Sequence, residues 1–221
     1  MSDPVLPSWR DGATRSAILS FLDRVEEIPP EDRVAVFDND GTMWCEKPSY
    51  TQIEFLKLEL EHALAEDPTL LASPEIKAIV DGDDETLQEM GLERIVGALL
   101  NLHAGLTPEE FTARVAAFFD AAEHPDRGVP LRQQRYRPML ELMDELRARG
   151  FDFYIVTGGG AEFVRVVAED YYGVKPEGVV GSQIDYDLAI NDDGSAVLLR
   201  TNHPVGSGVN EGPTKTPKIQ R

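Results

Sequence analysis

The stretch Val34–Trp44, VAVFDNDGTMW, sets four apolar residues directly against two acids, Asp38 and Asp40, with only Asn39 between them. A short β-branched and aromatic run of this kind reads as a strand suited to burial on both faces of a parallel sheet. Such strands ordinarily close in uncharged turn formers. Two carboxylates held this close repel each other unless a cation or a proton sits between them. The strand therefore constrains both the architecture and the chemistry at its end.

The remaining pattern supplies partners for that strand. An opening helix is expected from about Thr14 to Glu27, with Ile18, Phe21, Leu22 and Val25 on one face and Pro29–Pro30 ending it. From about Pro48 to Arg135 the periodicity is helical. Ile53, Leu56, Leu60 and Leu64 form one stripe; Leu92, Ile95, Leu99 and Leu102 form another. A third helix opens at TPEE, where Thr107 and Glu110 make a capping box around Pro108, and buries Phe111, Val115, Phe118 and Ala122. This region reads as a helical subdomain inserted after the first strand. A helix from near Pro138 to Gly150 then leads into the strand FDFYIV, which runs straight into TGGG, Thr157–Gly160. A helix from about Ala161 to Tyr172 stops at Gly173, before the short strand GVVG. QIDYDLAI and AVLLR, joined by NDDG, suggest a hairpin. Alternating strands and helices with a helical insertion mean an α/β fold with a parallel sheet.

Composition narrows the partners. A chain of 221 residues can bury one substantial core, or one core and a smaller satellite. No apolar run approaches the length of a membrane span, and the N-terminus lacks a secretory pattern. The single cysteine, Cys45, can form neither an internal disulfide nor a cysteine-type zinc site, so a reducing cytoplasm is the simplest expected setting. A net charge of −19 argues against nucleic acid or an anionic membrane as partner. A site for anions in such a field needs local positive charge.

In open α/β sheets, ligands bind at the carboxyl ends of the strands. Here one strand ends in DNDGT and another in TGGG, so the fold sets two acids opposite a hydroxyl and a glycine-rich turn entering a helix. The turn suits a phosphate and the acids suit a hard cation such as Mg²⁺.

DNDGT, then TGGG, then the lysine of GPTKTP resemble the first three motifs of the haloacid dehalogenase superfamily, over a stretch from about Val34 to the C-terminus. The longer FDNDGTMWCEKP, with the inserted helices, resembles its phosphoserine-phosphatase-like branch. The resemblance implies a Rossmann-like core built from residues 1–47 and 136–221, with residues 48–135 as a helical cap. It implies an Mg²⁺-dependent phosphatase acting on a small phosphorylated metabolite. Asp38 is then the nucleophile that forms an aspartyl-phosphate, and Asp40 the acid and base; an acid at this position favours phosphoryl transfer over dehalogenation. Thr157 and the Gly158 N–H hold phosphoryl oxygens, and Lys215 neutralises charge, with Lys218 as its competitor. The metal takes the Asp38 carboxylate and the Asp40 carbonyl. Glu46 lies close to where that branch sets a glutamate against the substrate amine, although a solvated loop residue is the plainer reading. His62, His103, His124 and His203 lack ligand spacing and are assigned no chemistry.

The pattern breaks after Lys215. A fourth, acidic motif that completes the metal shell in the family has no counterpart in the six residues that follow, and the acids of the hairpin precede the lysine. Two accounts stand: a chain cut from a longer gene, which the intact earlier motifs favour, or a degenerate phosphate- or partner-binding module. The sheet is then expected to carry an open edge that invites self-association. Neither the substrate nor the oligomeric state is legible.

Overall fold

The computed structural model describes residues 5–206 and 208–219. Three parallel strands form the central sheet in the order β1 (Val34–Phe37), β2 (Asp152–Gly160), β3 (Val179–Ser182). The register sets Val34 opposite Asp152 and Phe37 opposite Ile155, and Ile155 in turn opposite Val179. The residues after Phe37 therefore emerge alongside those after Ile155, at one end of the sheet.

Parallel neighbours need a crossover, and both crossovers here are helical. Between β1 and β2 lie α2 (Thr51–Glu66), α3 (Pro74–Asp81), α4 (Asp84–Met90), α5 (Leu92–Leu100), α6 (Pro108–Ala121) and α7 (Arg137–Arg147). Between β2 and β3 lies α8 (Ala161–Tyr172), closed by Gly173 in the left-handed conformation at φ +65°. Before β1 stands α1 (Ala13–Leu22), shorter than the periodicity predicts because the chain tightens to a 3₁₀ turn at Val25–Glu27. β4 (Ile184–Ile190) and β5 (Ala196–Pro204) form the expected antiparallel hairpin, and α9 (Lys215–Ile219) follows it.

One apolar cluster unites the sheet, α8 and part of the helical insertion: Phe37 and Ile155 from the strands, Phe163 and Val167 from α8, Phe55 from α2, and Phe111 and Phe118 from α6. A second, smaller cluster of Leu60, Ile76 and Leu99 ties α2, α3 and α5 together. The predicted capping box is present, with Thr107 and Glu110 exchanging side-chain-to-backbone hydrogen bonds.

Two expectations change, and a third lies partly outside the described residues. The buried stripe of α2 centres on Thr51, Phe55, Glu59 and Leu60, while Ile53 faces solvent. Glu59 is tolerated there because His103 and Arg114 bond its carboxylate, at 3.2 and 2.8 Å. The side chain of Leu92 lies outside the described residues; Ile95, Leu99 and Leu102 do pack together. Finally, β1 is not covered on both faces: Val34 and Val36 are 49% and 44% exposed. The strand is at the edge of the described sheet, and its alternate side chains point away from the core.

Candidate active site

The loop after β1 is shaped by one buried asparagine. Asn39 is fully enclosed, and its carbonyl accepts from the N–H groups of Thr42 and Met43 at 3.1 and 2.7 Å. Its side-chain oxygen accepts from the Tyr172 hydroxyl at 3.0 Å. Gly41 turns the chain at φ +75°, a conformation that favours glycine, and a Cβ there would meet the Glu46 carboxylate at 3.2 Å. With Asn39 pinned inward, its neighbours Asp38 and Asp40 flank it at the end of the strand.

Asp40 is the more enclosed of the two. Its Oδ1 accepts from the Trp44 indole N–H at 2.8 Å, and its Oδ2 lies 3.5 Å from the Thr157 hydroxyl. Burial pushes the Asp40 carboxyl above the ordinary carboxylate range; the Trp44 hydrogen bond opposes that rise and the Asp38 charge adds to it. Trp44 is itself locked in an aromatic group with Phe119, Tyr171 and Tyr172.

Opposite stands the glycine turn. TGGG is not a loop but the extended end of β2, with α8 starting directly at Ala161. The turn is packed against β3 so closely that a Cβ on Gly181 would fall 2.7 Å from the Gly159 carbonyl. Thr157 is fully buried, and its hydroxyl accepts from the Gly159 N–H at 3.0 Å.

The third contribution comes from the far end of the chain. Lys215 Nζ donates to Asp38 Oδ1 at 2.8 Å. Asn210, fully enclosed, delivers that segment: its side chain donates to the Thr157 carbonyl at 2.9 Å, and its N–H donates to Ser182 Oγ, which in turn donates to the Gly158 carbonyl. Lys215 thus sets a positive charge against the acid loop of a protein whose net charge is −19. Lys218 does not compete for this position: its ammonium is buried without a hydrogen-bond partner among the described residues.

The structure thus brings Asp38, Asp40, Thr157, Gly158 and Lys215 to one end of the sheet. It places Glu46 against Gly41. Sequence reasoning missed Trp44, Asn210 and Gln52, whose side-chain oxygen accepts from the Gly160 N–H at 2.8 Å. None carries a motif; each is recognisable only once the chain is folded. Of the histidines, His103 serves the interior, stacked on Phe55 and bonded to Glu59. The hairpin acid Asp193 is engaged locally by Ser195. Among the described residues no group of three or more His, Cys, Asp or Glu side chains forms a metal cluster. The oxygen-only donor set of Asp38 and Asp40 nonetheless fits Mg²⁺, which commonly binds through one or two carboxylates and keeps several waters.

The family model of haloacid dehalogenase-like hydrolases matches residues 35–202, which include both the acid loop and the glycine turn. Among solved structures, one of a protein of unknown function from Bordetella pertussis Tohama I is 20% identical at a TM-score of 0.53, covering 80% of this chain and 67% of its own. A phosphoserine phosphohydrolase-like protein from Francisella tularensis subsp. tularensis SCHU S4 is 20% identical at a TM-score of 0.42, covering 85% of this chain and 72% of its own. No curated protein matches the chain.

Proposed function

Because this chain belongs to the haloacid dehalogenase-like hydrolase family, we propose that it is a phosphatase that hydrolyses a small phosphorylated metabolite through an aspartyl-phosphate on Asp38. The observation that carries this reading is the contact of Lys215 with Asp38 at 2.8 Å, two residues from Asp40, whose carboxylate lies 3.5 Å from the Thr157 hydroxyl. An acid pair, a hydroxyl and a lysine from three distant stretches of chain converge on one point.

The proposed chemistry follows from these placements. Lys215 holds Asp38 Oδ1, which orients the carboxylate for attack on phosphorus. As the Asp38–phosphorus bond forms, the phosphorus–ester oxygen bond breaks, and Asp40 gives its proton to the departing oxygen. The raised affinity of Asp40 for a proton suits it to that donation. Asp40, now ionised, takes a proton from water, whose oxygen attacks phosphorus and releases phosphate and Asp38. The Thr157 hydroxyl and the Gly158 N–H bind phosphoryl oxygens, and the start of α8 faces them with the positive end of its dipole. Lys215 stabilises the charge that spreads over those oxygens. Mg²⁺, held by the Asp38 carboxylate and the Asp40 carbonyl, supplies further charge neutralisation when bound. The helices of residues 48–135 act as the cap that sets substrate choice, and Glu46, at its root, faces the substrate.

The test is Mg²⁺-dependent hydrolysis of 4-nitrophenyl phosphate by the 221-residue chain. Hydrolysis that Asp38→Asn abolishes, with folding retained by circular dichroism, is the expected result. Equal rates in the wild type and in Asp38→Asn overturn the reading.

A further inference from the structure

One side chain from the helical insertion reaches the glycine turn. Gln52, in the first turn of α2, lays its carboxamide over Gly159 and Gly160. Its Oε1 accepts from the Gly160 N–H at 2.8 Å. A Cβ on Gly160 would fall 2.9 Å from its Nε2, and one on Gly159 would fall 3.1 Å from its Oε1. The turn has room for this carboxamide only because both positions are glycine. The same point above Gly159 lies 3.3 Å from Thr157 Oγ1 and 3.9 Å from Asp40 Oδ2, so the carboxamide shares its neighbourhood with the acid and the hydroxyl of the site.

The orientation of the amide is fixed by chemistry. A backbone N–H can only donate, so the oxygen of Gln52 must face Gly160 and the NH₂ must face elsewhere. That NH₂ makes no hydrogen bond to the described residues, whereas the oxygen is already engaged. A neutral donor is thereby held ready beside a turn at the start of a helix.

We propose that Gln52 is a substrate-binding residue: anchored through Oε1 on the Gly160 N–H, it donates from Nε2 to a phosphoryl oxygen of the substrate. This rests on the phosphatase reading and deepens it. It assigns phosphoryl recognition to a side chain of the cap as well as to the turn, so that binding the phosphoryl group also fixes the start of α2 against the core.

Calorimetric titration of the intact chain with inorganic phosphate in the presence of Mg²⁺ tests it, on the wild type, Gln52→Ala and Gln52→Glu, with thermal melting of each as the fold control. Loss of one neutral donor weakens phosphate binding about tenfold in Gln52→Ala. Gln52→Glu keeps an acceptor for the Gly160 N–H but loses the donor and adds a negative charge, so it weakens binding at least as much. Wild-type affinity in Gln52→Glu overturns the proposal, since neither the lost donor nor the added charge is then felt by the phosphate. Should Gln52→Ala fail to fold, Gln52→Met, neutral, of similar length and without a donor, takes its place: binding about tenfold weaker supports the proposal and wild-type affinity overturns it. Wild-type affinity in Gln52→Ala overturns the proposal alone. Absence of phosphate binding in the wild type overturns the phosphatase reading and this inference with it.

Discussion

At the scale of single residues, the oxygen atoms of the acid loop are held by neighbours: Asp38 by Lys215 and Asp40 by Trp44. Asp40 shows this best. Its Oδ1 is fixed by the Trp44 indole, and Trp44 is fixed in turn by three aromatic rings. Trp44→Phe keeps the aromatic packing and removes the N–H, leaving Asp40 free to turn from its position. We predict a fall in kcat of about tenfold, the equivalent of one neutral hydrogen bond, in steady-state assays with 4-nitrophenyl phosphate. An unchanged kcat would show that Asp40 needs no such support. Asp38, Asp40 and Thr157 were legible in the sequence because each stands at the end of an apolar run where a charge or hydroxyl is anomalous. Gln52 and Asn210 were not, because the partners of their side chains are backbone groups on distant elements, Gly160 for Gln52 and Thr157 for Asn210, and nothing local marks them.

At the scale of elements, the helices of the insertion are joined by a buried polar node. His103 is enclosed, stacked on Phe55 and bonded to Glu59, whose carboxylate also takes Arg114. Burial holds the His103 imidazole down to about 4; the Glu59 charge opposes that shift, and the charges of Arg200 and Arg114 add to it. The sign follows from comparing the two states. The unfolded chain takes up a proton on this histidine near pH 6.5 and the folded chain does not until about 4. Stability is therefore full above about pH 6.5 and lost as pH falls toward 4, by up to about 3 kcal/mol. Urea denaturation across that range should show the loss in the wild type and a shallower one in His103→Gln, which has no group to protonate; parallel curves would contradict it. The elements themselves were largely legible. The capping box at Thr107 and the stop at Gly173 have local signatures, and both appear where the sequence sets them. The register of α2 was not legible, since Glu59 counts as polar on any hydropathy pattern and is buried only through partners on two other elements.

At the scale of the whole molecule, three segments separated by more than 100 residues in two of their pairings meet at one end of a small parallel sheet. The order of the strands produces this: β1 and β2 are neighbours, so the acid loop and the glycine turn leave the sheet side by side, and the Asn210 segment docks on the ends of β2 and β3 through Thr157 and Ser182. A chain of net charge −19 then concentrates one positive group, Lys215, on its candidate nucleophile. The meeting of the acid loop with the glycine turn follows from the common end of the strands in an open sheet, whereas the arrival of Lys215 could be anticipated only by analogy of motifs, because no local pattern places the segment that carries it. The exposed flank of β1 at Val34 and Val36 was likewise hidden, as an apolar strand reads the same at an edge as in the middle of a sheet. The proposed reaction turns on covalent phosphorylation of Asp38. Mass spectrometry of the chain, quenched in acid during turnover of 4-nitrophenyl phosphate with Mg²⁺, tests it directly. A phosphoryl group on the peptide containing Asp38 is the expected result; phosphate released under turnover with that peptide never modified would refute a covalent intermediate on Asp38.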